Sequence, residues 1–248
     1  MIKLERTSVM NFENALRGMR NPMNSWDKSD SVFMPCPDCG GKNRCILESC
    51  PHGAVRTAEG CMKIGANDLD LAQRLVGAGS DDRKFLRQIF VSVDVTAPLY
   101  WWKEYDTYKV GTVANSTSTM HTIHKKEFTL DDFSHEHLTV KAENCLLVTI
   151  DVLNEYRESF LGCTVSKFAD SAECAETKKL LWWQMIQLLP SSYNQMRTCT
   201  LNYENLINIY FARRYHKLDE WHVFCDWIEG LPYFKEICIE GMKQKEEV

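Results

Sequence analysis

The sequence predicts a helix-rich α+β fold that carries a cysteine-rich insert. Three observations support this prediction. Apolar residues recur with helical spacing through most of the chain after residue 137, and residues 90–97 alternate between apolar and polar as a half-buried strand does. Glycine, proline and cysteine are concentrated in residues 35–62, which we interpret as the insert. Because the chain has no internal repeat and no flexible linker, we expect residues 1–248 to form a single domain.

The composition is typical of a globular protein. With 248 residues, of which 44% are hydrophobic and 25% charged, the chain can bury a sizeable core, and disorder, collagen and coiled coil are excluded. A formal net charge of −5 gives no broad basic surface, so we expect no nucleic-acid partner. No apolar run reaches the roughly 18–20 residues of a membrane span, and the first residues lack the apolar stretch of a signal peptide. We therefore expect a cytoplasmic protein with no membrane partner.

The first half of the chain is predicted to contain three helices and one strand. An amphipathic pattern over residues 9–19 favours a short helix, and a second helix begins at Asn67. Pro98 follows the alternating strand directly and suits the first turn of a helix over residues 99–105. Strand and helix are therefore joined with almost no loop.

The second half is predicted to be mostly helical. Residues 111–119 are small and polar, and residues 128–133 carry turn residues and acids, so both segments are predicted to be loops. Pro190 and Pro232 break the helical pattern that follows. The predicted helices cover residues 141–161, 172–188, 195–215, 218–229 and 232–245.

Eleven cysteines, five of them within residues 36–61, point to a metal site in the insert. A disulfide framework is excluded because the chain is large, its cysteine count is odd and we expect it in the cytoplasm. In Cys36-Pro-Asp-Cys39-Gly-Gly the two thiolates can grip one tetrahedral ion, and structural Zn is the first interpretation. Free thiols or an iron–sulfur cluster are the alternatives, and His52 and Cys61 are further candidate ligands. The four predicted ligands are Cys36, Cys39, Cys45 and Cys50.

The most informative polar residues lie in the last fifth of the chain. Asn202, Asn208 and Arg213 are six and five residues apart. In one continuous helix these steps correspond to about 600° and 500° of rotation, so the three side chains would not form a tight stripe. If the chain is a strand or a loop up to Asn202 and a helix afterwards, all three can line one pocket.

This spacing resembles the flavin-dependent thymidylate synthases. That family has an Asn, a second Asn six residues on, an Arg five residues further, and then Gln-Trp, where this chain has Glu220-Trp221. Leu189-Pro190 matches a Leu-Pro that the family has twelve residues before the first Asn. The alternating strand and the helix after it match the family's strand leading into Ala-Pro-Leu-Phe. The likeness spans residues 67–235 and rests on order and spacing more than on identity.

The resemblance implies a mixed α+β fold with a central, mostly antiparallel sheet, like that of the thymidylate synthase-complementing proteins. It implies a homotetramer that binds FAD between subunits and methylates dUMP to dTMP, with methylenetetrahydrofolate as carbon donor and NADPH as reductant. On this interpretation Asn202 and Asn208 bind the flavin ring. Arg213 meets the pyrimidine edge of the nucleotide, where planar donors fix one orientation. No catalytic residue is assigned.

The family's signature loop is altered in this chain. Its Arg-His-Arg falls on Thr107-Tyr108-Lys109, and the last Arg of the motif falls on Met120. Such arginines make charge-assisted contacts to phosphate, so their loss should weaken nucleotide binding unless other groups replace them. By their aligned positions, Lys109 and Asn115 are predicted to bind the cofactor, and Glu104, Ser116 and Ser118 the substrate. The alternative for this polar loop is a surface turn.

Three cations close together offer a replacement for the lost arginines. Arg83, Lys84 and Arg87 lie within five residues, and we predict that Arg83 and Arg87 bind the substrate's phosphate. The alternative is a solvated helix face. Three functions therefore stay open: a divergent thymidylate synthase, a nucleotide- or flavin-binding homologue that has lost the chemistry, and an enzyme for another pyrimidine nucleotide.

Overall fold

The computed structural model describes residues 2–34, 54–165 and 172–243. The chain divides into two compact units, each built from several stretches of sequence. Unit 1 consists of Met1–Lys3, Val95–Thr107 and Asn115–Arg197. Unit 2 consists of Leu4–Asp94, Tyr108–Ala114 and Thr198–Val248. The single domain expected from the sequence stays a prediction.

The described residues contain two sheets. The strands are β1 (Lys3–Met10), β2 (Val32–Met34), β3 (Val55–Thr57), β4 (Gly60–Lys63), β5 (Phe90–Pro98), β6 (Val113–Ser116) and β7 (Asn194–Asn202). One sheet has the order β1-β5-β7-β6, and the other has the order β2-β4-β3. The second sheet is antiparallel throughout, with Met34 and Arg56 both paired to Cys61 of the central strand.

Helices make up most of the rest. They are α1 (Phe12–Met19), α2 (Ala66–Ala78), α3 (Leu99–Tyr105), α4 (Thr119–Thr122), α5 (Val140–Val165), α6 (Ala172–Leu188), α7 (Tyr203–Arg213), α8 (Asp219–Glu229) and α9 (Glu240–Lys243). A π-helical segment, Lys235–Ile239, precedes α9, and 3₁₀ turns cover Asn21–Met23, Trp26–Lys28, Arg83–Gln88 and Leu130–Asp132. Within the described ranges, no helix combines the length and apolar character needed to cross a bilayer.

Most predicted elements are confirmed, two are wrong, and the strands β1 to β4 of the first half were not predicted. The helix predicted over residues 195–215 begins as β7, in which Cys199 and Leu201 are buried while Thr198 and Thr200 are exposed. This alternation has the period of a strand. The helically spaced apolar residues of α7, which follow directly, led us to extend the predicted helix back over it. The loop predicted over residues 111–119 contains β6, all of whose residues are exposed. An end strand without buried side chains has no periodic signal for sequence reasoning to detect.

Unit 1 is organised around the hairpin of α5 and α6. Its core includes Phe133 and residues on the inner faces of the two helices, among them Leu153 and Met185, which are fully buried. In α3 the Trp102 indole donates to the Gln195 carbonyl oxygen at 2.9 Å, so this buried ring is hydrogen-bonded as well as packed. Both long helices were predicted from the sequence, over residues 141–161 and 172–188.

Unit 2 packs α1, α7 and the segment before α9 around buried aromatic rings. The Phe12 and Tyr203 rings meet edge to face at 5.5 Å, and the Tyr203 and Phe234 rings at 5.4 Å. Tyr203 also donates its hydroxyl to the Pro232 carbonyl oxygen at 2.7 Å, and burial raises the pKa of Tyr203 well above its usual value. This cluster fixes the first turn of α7, where the candidate site begins.

Candidate functional site

The junction of β7 and α7 in unit 2 fixes the position of Asn202. Asn202 is the last residue of β7 and the N-cap of α7. Its Oδ1 accepts from the Asn205 backbone N–H at 3.0 Å, and the Asn205 Oδ1 accepts from the Asn202 backbone N–H at 3.2 Å. This reciprocal cap satisfies helix-terminal donors and stops the helix from extending backwards. The change from strand to helix is the condition under which the spacing allowed the three predicted residues to share a pocket.

A loop of unit 2 lies against this cap. The Asn205 Nδ2 donates to the Val110 carbonyl oxygen at 2.6 Å. Gly111, with φ of +75°, comes so close that a Cβ atom there would lie 3.1 Å from the Asn202 Nδ2. A side chain at Gly111 would therefore be strained by its backbone and crowded by the amide. Among the described residues the Asn202 Nδ2 has no acceptor, so it is a donor available to a bound group.

Arg213, the last residue of α7, is oriented by two aromatic rings. Its Nε donates to the Tyr108 hydroxyl at 2.8 Å. The guanidinium carbon lies 4.9 Å from the Trp221 ring centroid and 5.6 Å from the Tyr108 ring centroid. Both contacts are cation–π interactions, which fix the plane of the guanidinium. The arginine is half-buried, so part of it faces solvent.

Arg83 is held differently, by a carboxylate. Its Nε and Nη2 donate to the two oxygens of Glu204 at 2.9 and 3.1 Å, a bidentate pair with both side chains nearly buried. Nη2 also donates to the Asn208 Oδ1 at 3.2 Å. The pair therefore orients Asn208, whose Nδ2 has no acceptor among the described residues. The phosphate contact expected for Arg83 stays a prediction, and the geometry gives this arginine a structural partner.

The other predicted site residues are mostly exposed. In unit 2, Lys109 is exposed, and Arg87 is exposed with its Nη2 donating to the Ser80 carbonyl oxygen at 3.2 Å. In unit 1, Glu104 is half-buried on α3, Asn115 and Ser116 are exposed on β6, and Ser118 caps α4 by accepting from the His121 backbone N–H at 3.2 Å. The roles assigned to these residues stay predictions.

The predicted zinc ligands Cys36, Cys39, Cys45 and Cys50 lie outside the described residues. Cys61, the further candidate, is buried in β4. Within residues 2–34, 54–165 and 172–243, no cluster of three or more His, Cys, Asp or Glu side chains can hold a metal ion. The zinc site and the boundaries of the insert stay predictions.

Two cysteines of unit 2 are held as thiols. Burial raises the pKa of Cys238 well above its usual value, with Arg83 opposing and Glu204 adding to the shift. Burial, with the charges of Asp226 and Glu229, raises the pKa of Cys225 to about 12. Because the thiolate is the nucleophilic form, neither cysteine is activated for covalent catalysis.

Sequence reasoning missed several residues that build this arrangement. Tyr108 was noted only as a departure from the family pattern, and Gly111 and Asn205 were not singled out. The Asn202-x-x-Asn205 spacing was a usable sign, because a residue with a short polar side chain three positions into a helix can close a reciprocal cap. Glu204 was also missed, although an acid at the start of an apolar helical pattern needs a cationic partner when it is buried.

Comparisons with known proteins identify the fold. No protein-family model matches the chain, and no curated protein matches it. Among solved structures it is similar to thymidylate synthase X (ThyX) from Helicobacter pylori with FAD and dUMP, with a TM-score of 0.58 and 14% identity over 98% of this chain and all of that one. A second structure of the flavin-dependent ThyX from H. pylori, complexed with FAD and dUMP, gives 0.56 and 14% identity over 96% of each chain. The chain therefore has a helix-rich ThyX-like fold with an antiparallel sheet.

Proposed function

We propose that this protein is a flavin-dependent thymidylate synthase-like enzyme that binds FAD and methylates dUMP to dTMP. The observation that carries the proposal is the fold similarity along almost the whole chain to a ThyX that binds FAD and dUMP. At 14% identity this similarity does not extend to individual residues. The contacts around α7 support the proposal at the level of individual residues.

Two amides of α7 fit the polar edge of a flavin ring. Asn202 and Asn208 each present an Nδ2 donor with no acceptor among the described residues, and each is held in place through its Oδ1. A flavin ring offers carbonyl oxygens and ring nitrogens that accept such hydrogen bonds. FAD, when bound, would supply the hydride that reduces the transferred carbon. The role of these two residues is to bind and orient the ring.

Arg213 suits the pyrimidine. Its guanidinium is planar and permanently charged, and a uracil edge presents carbonyl acceptors in one plane. The Tyr108 hydroxyl and the Trp221 ring set that plane before a ligand arrives, which reduces the ordering cost of binding. We therefore assign pyrimidine recognition to Arg213 and its orientation to Tyr108 and Trp221.

The exposed polar residues complete the proposal. Arg87 and Lys109 are solvent-accessible cations in unit 2 and suit phosphate groups. Asn115, Ser116, Ser118 and Glu104 keep the cofactor and substrate roles that the resemblance implies. Methylenetetrahydrofolate, NADPH and a homotetramer belong to the same proposal. Structural zinc on the four insert cysteines is a separate prediction, and a substoichiometric zinc content in purified protein would contradict it.

A second candidate is a flavin- and nucleotide-binding homologue that has lost thymidylate synthesis or acts on another pyrimidine nucleotide. One observation favours it. Tyr108 lies where the family's signature has its histidine, and its hydroxyl accepts from the Arg213 Nε at 2.8 Å. A position that carries a basic side chain in the family is thus part of an aromatic support, which alters the phosphate contacts available to a nucleotide.

Tritium release from dUMP labelled at carbon 5 separates the candidates. The protein reconstituted with FAD is mixed with labelled dUMP, methylenetetrahydrofolate and NADPH, and tritium in water is counted. Tritium release that requires FAD, methylenetetrahydrofolate and NADPH supports the first candidate, a thymidylate synthase. Saturable dUMP binding without release supports the binding homologue, and repeating the assay with labelled dCMP tests a changed pyrimidine. Absence of both binding and release would contradict the proposal.

A further inference from the structure

The hairpin in unit 1 brings two cysteines together. Cys163 lies in the last turn of α5, and Cys174 lies in the first turn of α6. The Cys174 thiol donates to the Cys163 carbonyl oxygen at 3.1 Å. They are therefore neighbours in space as a consequence of how α5 and α6 pair.

The contact meets the first requirement of a disulfide, which is proximity. Bridged cysteines have Cα atoms about 4.4–6.8 Å apart and Cβ atoms that point towards each other. The Cys174 Sγ lies 3.1 Å from the Cys163 carbonyl oxygen, so the second thiol lies beside the main chain of the first cysteine. We expect rotation of the two side chains to bring the sulfur atoms into bonding distance.

The two thiols differ in access and surroundings. Cys163 is half-buried, whereas Cys174 is buried, so a reagent in solution reaches Cys163 first. Partial burial and the Cys174 thiol raise the pKa of Cys163, while Lys178 opposes them. Cys174 lies in the first turn of α6, with its Sγ 3.1 Å from the Cys163 carbonyl oxygen. The pair thus combines an accessible thiol with a second thiol placed to resolve its adduct.

We propose that Cys163 and Cys174 form a redox-active dithiol, oxidised by small-molecule disulfides such as glutathione disulfide to an intramolecular disulfide that bridges α5 and α6. In the first step the Cys163 thiolate attacks glutathione disulfide, forming a mixed disulfide and releasing one glutathione thiolate, which takes up the proton that Cys163 lost. In the second step the Cys174 thiolate attacks the Cys163 sulfur and releases the second glutathione. Two protein thiols are oxidised, and one glutathione disulfide is reduced to two glutathiones.

This inference does not depend on the proposed function. The pair belongs to unit 1, and neither cysteine was assigned to flavin, nucleotide or metal. A bridge there closes a short loop between the end of one helix and the start of the next, which restricts the unfolded chain and stabilises the hairpin. The expected consequence is a protein whose hairpin is more stable under oxidising conditions.

The tryptic cleavage sites allow the two cysteines to be followed in separate peptides. Trypsin cleaves after Arg157, Lys167 and Lys178, so it separates the cysteines into peptides 158–167 and 168–178, each with one cysteine. Full-length reduced protein is incubated with glutathione disulfide, remaining thiols are alkylated at low pH, and the digest is analysed by mass spectrometry without reduction. Cys145→Ser is the matched control, because Cys145 is an exposed cysteine of the same helix.

The proposal predicts that most chains of the wild type and of Cys145→Ser give the cross-linked pair of peptides. It predicts that Cys174→Ser instead accumulates glutathione on peptide 158–167, because the resolving thiol is missing. Oxidised wild type should also melt about 5 °C higher than reduced wild type, with no such shift in Cys163→Ser. A stable glutathione adduct on Cys163 of the wild type, or a bridge from Cys163 to another cysteine, would overturn the proposal.

Discussion

Two arginines of unit 2 lie against α7 and are held by different chemistry. Arg83 is nearly buried and gives a bidentate pair of hydrogen bonds to the Glu204 carboxylate. Arg213 is half-buried and is fixed by the Tyr108 hydroxyl and the face of Trp221. The Glu204 carboxylate occupies two donors of the Arg83 guanidinium, whereas the Trp221 ring packs on the face of the Arg213 guanidinium.

On the proposed function, the difference separates a structural arginine, Arg83, from a binding one, Arg213. Removing Arg83 leaves the buried Glu204 carboxylate without its cation, which should lower the free energy of unfolding. Since we propose that Arg213 binds the pyrimidine, we expect its removal to lower the affinity for the nucleotide.

Arg83→Ala should lower the free energy of unfolding by about 3–5 kcal/mol, because Glu204 would stay buried and unpaired. Urea unfolding followed by circular dichroism measures this change. Arg87→Ala is the matched control from the same 3₁₀ turn, where the arginine is exposed, and it should change stability by less than about 0.5 kcal/mol. The double replacement Arg83→Met with Glu204→Leu should recover most of the loss, since neither charge is then buried alone. If Arg83→Ala and Arg87→Ala lowered the free energy of unfolding by similar amounts, the structural role of Arg83 would be contradicted.

Arg213→Ala should weaken dUMP binding about 10- to 100-fold, the loss of a charge-assisted hydrogen bond to the pyrimidine. Isothermal titration calorimetry measures the affinity, and circular dichroism verifies that the variant is folded. The control is Arg214→Ala, which removes an adjacent arginine that stacks on Phe211 and Tyr215 instead. Equal affinities of the two variants would mean that the pyrimidine role of Arg213 is misplaced.

Tyr108→Phe should weaken dUMP binding about 3- to 10-fold while leaving the free energy of unfolding nearly unchanged. It removes the hydroxyl that accepts from the Arg213 Nε and keeps the ring beside the guanidinium. Combined with Arg213→Ala it should add no further loss, because its effect acts through that arginine. If the losses of dUMP affinity in Tyr108→Phe and Arg213→Ala were fully additive, the role of Tyr108 in positioning Arg213 would be contradicted.

Arg87→Ala and Lys109→Ala should each weaken dUMP binding only a few-fold. Both side chains are exposed, so their attraction to phosphate is screened by solvent and salt. The effect should be measurable in about 20 mM salt and should disappear in about 500 mM salt, where the screening length is only a few ångströms. An effect that persists at high salt would place these cations in direct contact with the phosphate.

The elements that could be predicted from the sequence have side chains that repeat with one period throughout. β5 shows an uninterrupted alternation with Val91, Val93 and Val95 buried, and α1 buries Phe12, Ala15, Leu16 and Met19 at helical spacing. β7 and α7 were merged into one predicted helix, because the period changes at Asn202 without a proline or glycine to mark it. The strand changes to a helix because Asn202 and Asn205 form a reciprocal cap. A signal of only two residues is easily missed in a sequence.

The candidate site could be predicted in part. The order and spacing of Asn202, Asn208 and Arg213 pointed to one region because these residues follow each other along the chain. The partners of Arg83 and Arg213 could not be predicted, since Glu204 and Tyr108 lie more than a hundred residues away from them in sequence. The same holds on a smaller scale for Cys163 and Cys174, which become neighbours only when the hairpin forms.

The most direct test of the proposed function is the visible spectrum of the protein after reconstitution with FAD. Purified protein is incubated with excess FAD, passed over a desalting column and scanned, with Asn202→Ala and Asn208→Ala treated in parallel. We predict protein-bound absorbance near about 450 nm, with roughly one flavin per chain in the wild type and less in both variants. If the wild type elutes colourless, or if both asparagine variants retain as much flavin as the wild type, the assignment of a flavin site to this fold is contradicted.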